Sequence, residues 1–348
     1  MTALAAVLPS RDEATTIGAV TAAVDRALDD PDAVIVNADS STHPATSRAF
    51  AATPTLAHKV ALTGLPAGKG RQIFASLEHV PRDAIVLLAD TDTRNPAQAM
   101  YRALLDAALT GAGCAVADYR RYWDEANLTH HIARPLLAAT GTDLAQPLAG
   151  DMALAPRAAS RAARERNALN GPLAVCVDGY GIDAFLVINA VRTGQPAVGV
   201  PLGRTKEHAP SFPHLPVIFT EAVPVLLALT GSPLAPTDPA EVSYALADRD
   251  LSRSQLDAML GGLDSFLTAA DPAPVQQWPL PLLEAWRWVR SGISPVEAAT
   301  TLWPSYLQRV RTWLSVGTVT PLDTRRASLA EAHIRLGQWM ADDHRRRS

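Results

Sequence analysis

Short apolar runs rich in β-branched residues alternate, over the first half of the chain, with stretches whose apolar positions recur every three to four residues. The runs are Leu4–Leu8, Ala33–Asn37, Lys59–Thr63, Ala84–Ala89 and Cys114–Asp118. Each leads through a polar turn into helical spacing, which is the pattern of repeated strand–helix–strand units. The run Ala84–Ala89 reads AIVLLA, apolar at every position, so both of its faces need cover. That predicts an α/β fold, a mostly parallel sheet flanked by helices. Ligands of such sheets collect beyond the carboxyl ends of the strands. Those ends read Pro9-Ser10-Arg11-Asp12-Glu13, Asn37-Ala38-Asp39-Ser40-Ser41-Thr42, the stretch from Gly64 to Gly70, and Asp90-Thr91-Asp92.

Beyond Leu128 the alternation loosens into a helix after Gly181, a strand near Ala197–Pro201 and a polar loop around His208. After Thr237 helical spacing dominates and carries six of the seven tryptophans. Leu282, Leu283, Trp286 and Val289 have the spacing of one buried helix face. The expected domains are therefore residues 1–235, holding the sheet and its site, and a helical region, residues 236–348. The apolar stretch Pro216–Gly231 is interrupted by Glu221 and Pro224. It falls short of the roughly 20 apolar residues of a membrane span, so a soluble protein is expected.

Composition narrows the partners. The 348 residues carry 35 acidic and 31 basic side chains, net −4, which supplies no electrostatic drive toward nucleic acid or an anionic membrane. Cys114 and Cys176 make neither a disulfide framework nor a metal-ligand spacing, which fits a reducing cytoplasm. The partner is expected to be a small molecule.

Asp90-Thr91-Asp92 follows the most apolar strand, and two carboxylates there are costly unless something uses them. A hard cation such as Mg²⁺ or Mn²⁺ takes one or two carboxylates and completes its shell with phosphate oxygens and water. Asp at a strand end is also a common helix cap or turn residue. Gly64-Leu65-Pro66-Ala67-Gly68-Lys69-Gly70-Arg71 offers glycines for close backbone approach and Lys69 as a point charge for phosphate. It lacks the GxxxxGK[ST] spacing of a Walker loop.

The order of these segments resembles the GT-A (Rossmann-like) nucleotide-sugar glycosyltransferases, family-2-like, and within them the glucosyl-3-phosphoglycerate and mannosylglycerate synthase groups. Leu8-Pro9-Ser10-Arg11-Asp12-Glu13 is similar to their first strand end. The turn Asn37-Ala38-Asp39-Ser40-Ser41-Thr42 is similar to their nucleotide turn, Gly68-Lys69-Gly70 to their GKG, and Asp90-Thr91-Asp92 to their DxD. Gln146-Pro147-Leu148-Ala149-Gly150-Asp151 resembles the QPL(A/G)GE signature, and Gly179-Tyr180-Gly181-Ile182-Asp183 resembles GYGVE. The likeness covers roughly residues 3 to 230.

The resemblance implies a retaining, metal-dependent transfer of a hexose from UDP-glucose or GDP-mannose to a small hydroxy acid such as glycerate or 3-phosphoglycerate. Asp92 and His208 would ligate the Mg²⁺ or Mn²⁺. Pro9, Ser10, Arg11, Glu13, Asn37, Asp39, Lys69, Asp90, Thr91, Leu148, Ala149 and Gly150 would bind the nucleotide sugar. Asp151 and Asp183, the catalytic candidates, would hold sugar hydroxyls and position the acceptor, and Asp183 could instead act as a base or cap its helix. Asn127 and Thr129 fall in the acceptor segment, where Asn127 stands in place of a phosphate-binding Arg; Arg120 and Arg121 could supply that charge. The helical C-terminal region would either cover the acceptor site or form a homodimer interface. A catalytically silent nucleotide-sugar-binding scaffold and a sugar-1-phosphate nucleotidyltransferase are the competing readings. The latter lacks support, because the first strand end contains no glycine.

Overall fold

Every residue of the first strand, Leu4–Ser10 (β1), is buried, because sheet neighbours flank both of its edges and helices cover its faces. The computed structural model describes residues 2–208, 212–230, 242–267 and 277–347. Strands β2 (Val34–Asp39), β3 (His58–Leu62), β4 (Ile85–Leu88) and β5 (Cys114–Asp118) follow in order. Then come β6 (Arg121–Tyr122), β7 (Met152–Leu154), β8 (Ala197–Pro201) and β9 (Leu246–Ala247). Seven of them form one sheet in the order β3-β2-β1-β4-β7-β5-β8, and β6 pairs with β9 in a second, two-stranded sheet. The large sheet is parallel except at β7, which runs antiparallel to both β4 and β5. The expected α/β class with a mostly parallel, helix-flanked sheet is what forms.

The helices are α1 (Ile17–Leu28), α2 (Ala45–Ala52), α3 (Lys69–Leu77), α4 (Gln98–Leu109), α5 (Arg134–Ala138), α6 (Pro156–Ala168) and α7 (Gly171–Asp178). They continue with α8 (Ile182–Val191), α9 (Leu215–Leu229), α10 (Arg253–Asp264), α11 (Leu280–Arg290), α12 (Pro295–Gly317) and α13 (Leu322–Arg347). Amphipathic spacing explains α1, whose buried face is Ile17, Val20, Val24, Ala27 and Leu28. By contrast, α8 is buried from Ile182 to Ala190, as a helix hydrophobic all round must be.

The chain packs into two compact units, Met1–Tyr119 with Gln146–Ala209, and Arg120–Ala145 with Pro210–Ser348. A single boundary at 235/236 does not describe this. The excursion from Arg120 to Ala145 supplies β6, which pairs with β9, and α5, which packs on α13. Likewise α9 packs on α12 and α11 rather than extending the sheet unit.

The 18 residues Phe212–Leu229, mean hydropathy 1.6, are long and apolar enough by length and composition to cross a bilayer, which corrects the expectation that this stretch falls short. Phe219, Ala222, Val223, Val225, Leu226 and Leu227 of α9 are buried inside the second unit, so the apolarity serves a core helix. In α11 the predicted face forms from Leu282, Leu283 and Trp286, with Val289 at its half-buried margin.

Candidate active site

Pairing of β4 with β7 sets Leu88 opposite Met152, and thereby brings together two residues 61 apart in sequence. Asp90, just past the end of β4, donates its backbone N–H to Asp151 Oδ1 at 3.0 Å. The Asp90 carboxylate lies between two ammonium groups, with Lys69 Nζ 2.9 Å from Oδ1 and Lys206 Nζ 2.7 Å from Oδ2. Lys69, the first residue of α3, also meets Asp183 in the first turn of α8 at 3.0 Å. Lys206 meets Asp151 Oδ2 at 2.6 Å, and the Tyr119 hydroxyl donates to that same oxygen at 2.6 Å. The groups thus alternate in sign along the row Asp183, Lys69, Asp90, Lys206, Asp151. The Asp151 side chain has no exposure and that of Lys206 only 5%.

Burial and charge compete in this row, and charge wins at its centre. Burial drives the Lys69 pKa down, but Asp183 and Asp90 hold it above the ordinary lysine range. Lys206 behaves alike, with Asp151 and Asp90 overcoming burial. Burial raises the Asp90 carboxyl, yet Lys206 and Lys69 keep it well below the carboxylate range. At Asp183, and at Asp92 beside the row, desolvation prevails. Burial raises the Asp183 pKa against the pull of Lys69. Burial, with repulsion from Asp90, raises that of Asp92, opposed by Lys206 and His208. The last pairing puts His208 within electrostatic reach of Asp92. Glu13 is raised by its own burial and, more weakly, by Asp92.

The other nucleotide-sugar candidates collect on the neighbouring strand ends. Asn37 on β2 donates through Nδ2 to Ser10 Oγ at 2.7 Å and to the Leu8 carbonyl at 3.0 Å. Its Oδ1 is buried without a partner. Asp39 accepts from the Ser41 N–H at 2.9 Å, an Asx turn that closes the polar loop. Thr91 donates to the Pro9 carbonyl at 2.8 Å. Gln72 of α3 donates to the carbonyls of Ser10 and Ala38, both at 2.7 Å, and so ties β1 and β2 together. Arg11 is exposed, Leu148 half-buried and Ala149 buried.

Glycines mark the closest approaches. A Cβ at Gly150 would collide with the Asp90 carboxylate and Lys69 Nζ. At Gly68 and Gly70 the conflict is with the backbone of Asp178 and Val177. Those two glycines therefore let α3 pack on α7, a reason different from the ligand approach expected of them.

The acceptor candidates belong to the second unit. Arg120 is exposed and Arg121 lies in β6. Asn127 is 9% exposed; its Nδ2 donates to the Asp124 carbonyl at 2.9 Å. Asp124 is held by both arms of Arg249, at 2.9 and 2.5 Å. Thr129 opens a π-helical turn, Thr129–Ala133.

Sequence reasoning passed over Lys206, Tyr119 and Gln72. Lys206 had one signal. It is a lysine two residues before the loop histidine, on a segment leaving a strand end, where the row of acids has a single lysine until it is counted.

Scanned against protein-family models, the sequence matches none. Among curated proteins, glucosyl-3-phosphoglycerate synthase of Mycolicibacterium paratuberculosis is 30% identical over 253 residues, 66% of this chain and 73% of that one. The chain belongs to the glucosyl-3-phosphoglycerate synthase family of GT-A glycosyltransferases. Solved structures of the Mycobacterium tuberculosis synthase agree. One, in complex with Mn²⁺, UDP and phosphoglyceric acid, is 26% identical with a TM-score of 0.52, over 68% of this chain and 81% of that one. Another, in complex with Mg²⁺ and UDP, is 26% identical with a TM-score of 0.52, over 68% and 82%. Membership in the synthase family makes this chain a glycosyltransferase and the strand-end row its candidate centre.

Proposed function

We propose that this cytoplasmic enzyme transfers glucose from UDP-glucose to the hydroxyl of a small phosphorylated or simple hydroxy acid, 3-phosphoglycerate first, with Mg²⁺ or Mn²⁺ as cofactor. The observation that carries the reading is the alternating row from Asp183 to Asp151 at the strand ends. Support for the substrates comes from the M. tuberculosis synthase, solved with Mn²⁺, UDP-glucose and phosphoglyceric acid together. Glycerate is the second acceptor to consider, because Asn127 puts no charge where the acceptor segment ordinarily carries an arginine.

Asp92 and His208 fit a divalent ion. Burial and Asp90 penalise the charged form of Asp92, and a cation beside it would reverse that penalty. Among the described residues no group of three or more His, Cys, Asp or Glu side chains is placed to hold a metal. Two protein donors would thus leave the remaining positions to diphosphate oxygens and water, as Mg²⁺ commonly does. When bound, the ion would offset charge on the departing diphosphate.

The chain's own residues supply the rest. Lys69 and Lys206, fixed on Asp90, keep positive charge in place without reorganisation as the bond between the anomeric carbon and the diphosphate breaks. The acceptor hydroxyl oxygen bonds that carbon from the same face, and its proton passes to a phosphate oxygen of the leaving UDP, which gives retention. With both oxygens occupied, Asp151 is a positioning residue for Lys206 and Asp90. Asp183, oriented by Lys69, is the carboxylate offered to a sugar or acceptor hydroxyl. Asn37 and Asp39 face the base and ribose.

The test is product formation from UDP-glucose and GDP-mannose, each with glycerate and 3-phosphoglycerate, in Mn²⁺ and in Mg²⁺. A product from UDP-glucose with α-anomeric NMR coupling is the expected result. Failure of every donor with both metals overturns the reading.

A further inference from the structure

Arginines of the second unit are commonly matched by an acid. Arg134 pairs with Asp143 at 2.7 Å, Arg287 with Asp343 at 3.0 Å, and Arg311 with Asp264 and Arg325 with Asp248 at 2.8 Å each. Arg309 on α12 is half-buried and meets no carboxylate among the described residues; burial, with no acid opposing it, pulls its pKa down to about 10. Its hydrogen bonds are also incomplete. Nε faces His131 Nδ1 at 3.5 Å, and Nη2 is buried without a partner. His131 is 1% exposed, and burial together with Arg309 drives its pKa well down, so the ring is neutral and carries one proton. With Nδ1 turned toward a donor, that proton sits on Nε2. Nε2 is likewise buried without a partner.

The pair therefore holds two unused N–H donors, one of them cationic. Trp313 lies under Arg309 at 5.7 Å and meets the His131 ring at 5.2 Å, and Trp278 meets that ring at 6.4 Å. An indole nitrogen only donates, so neither tryptophan supplies the missing lone pair. Unmade buried donors are destabilising, above all on a charged group. We propose that Arg309 and His131 form a binding site for a small oxyanion, a phosphate or carboxylate group, which accepts from Arg309 Nη2 and His131 Nε2. The site uses none of the nucleotide-sugar residues, so it stands or falls apart from that reading. No bond is made or broken in binding.

The test is calorimetric titration of inorganic phosphate and, separately, of acetate into the full-length protein in EDTA, with thermal melting in the same buffer, for the wild type, Arg309→Met and His131→Phe. The wild type is expected to bind one or both anions, and the tighter of the two identifies the group preferred. Arg309→Met should weaken that binding about 10- to 100-fold through loss of a charge-assisted contact. His131→Phe, which loses a neutral donor, should weaken it about 3- to 10-fold. Without anion, Arg309→Met should melt no lower than the wild type, because an unpaired buried charge has gone. A fall in that midpoint makes the arginine a structural one and overturns the proposal. So does a wild type that binds neither anion, or an Arg309→Met that binds as tightly as the wild type. Should Arg309→Met not fold, His131→Phe decides alone.

Discussion

The two units differ in how completely they pair their buried polar groups. In the first, each buried charge of the central row faces one of opposite sign within 3.0 Å. In the second, both ring nitrogens of His130, one of His131 and one of His333 are buried without a hydrogen-bond partner, as are Nε and Nη1 of Arg325 and Nη2 of Arg309. Aromatic faces add to counter-ions or stand in for them there, and Arg325 also pairs with Asp248 at 2.8 Å. Arg325 lies over Trp123 at 4.5 Å, Arg309 over Trp313 at 5.7 Å, and His131 meets the edge of Trp313 at 5.2 Å. Burial pushes His130 down to about 3, helped by Arg134 and Arg121, and His333 down to about 4. The lesson is that the paired row fixes geometry for charged ligands, whereas the second unit tolerates its histidines only while they stay neutral.

The contrast can be broken first at the centre of the row. Asp90→Asn leaves Lys69 and Lys206 facing each other with one carboxylate fewer, and uncompensated buried charge costs about 3–5 kcal/mol. Urea denaturation should show that loss, while an exposed substitution such as Asp323→Asn should shift stability by less than about 0.5 kcal/mol. Gly150→Ala pushes into Asp90 and Lys69 without removing a charge. A misplacement of about 1 Å should lower kcat/KM about 100-fold, with a smaller loss of stability than Asp90→Asn.

The same insertion in the second unit should read out differently. A Cβ at Gly317 collides with the Trp123 ring, so Gly317→Ala should cost about 1–3 kcal/mol of overpacking. Calorimetric melting would register it. The smallest effect is a pH slope. The folded pKa of His130 and His333 lies below that of the unfolded chain, so the unfolded state takes up protons first as pH falls. Their contribution is complete above pH 6.5 and is lost on acidification toward pH 4 and then 3, at about 1.4 kcal/mol per pH unit for each histidine. Melting from pH 7 to 4 should show a steeper decline for the wild type than for His333→Gln.

Much of the sheet was legible because strands buried on both faces are apolar throughout. β4 and β5 needed no partner to be recognised. β7 was not legible, since three residues, Met152–Leu154, are too few to show a period. β6 and β9, of two residues each, exist only through each other. At the site, Asp90, Lys69, Asp151 and Asp183 announce themselves by strand-end or helix-start position, and the structure brings all four into one row. Lys206 does not, because its role arises from a loop folding back onto acids 55 and 116 residues away. The π-helical turn at Thr129–Ala133 likewise depends on neighbours that its own residues do not name.

The place of β7 bears on how the protein is made. Among the described residues β5 bonds to β7 and β8 alone, and β7 is the strand that joins it to β4. As the chain leaves the ribosome, at about 5–20 residues per second, β1 to β4 can assemble while β5 has no strand to dock on. Both flanking edges stay open until residue 154 has emerged. That interval is when a holding chaperone has most to protect.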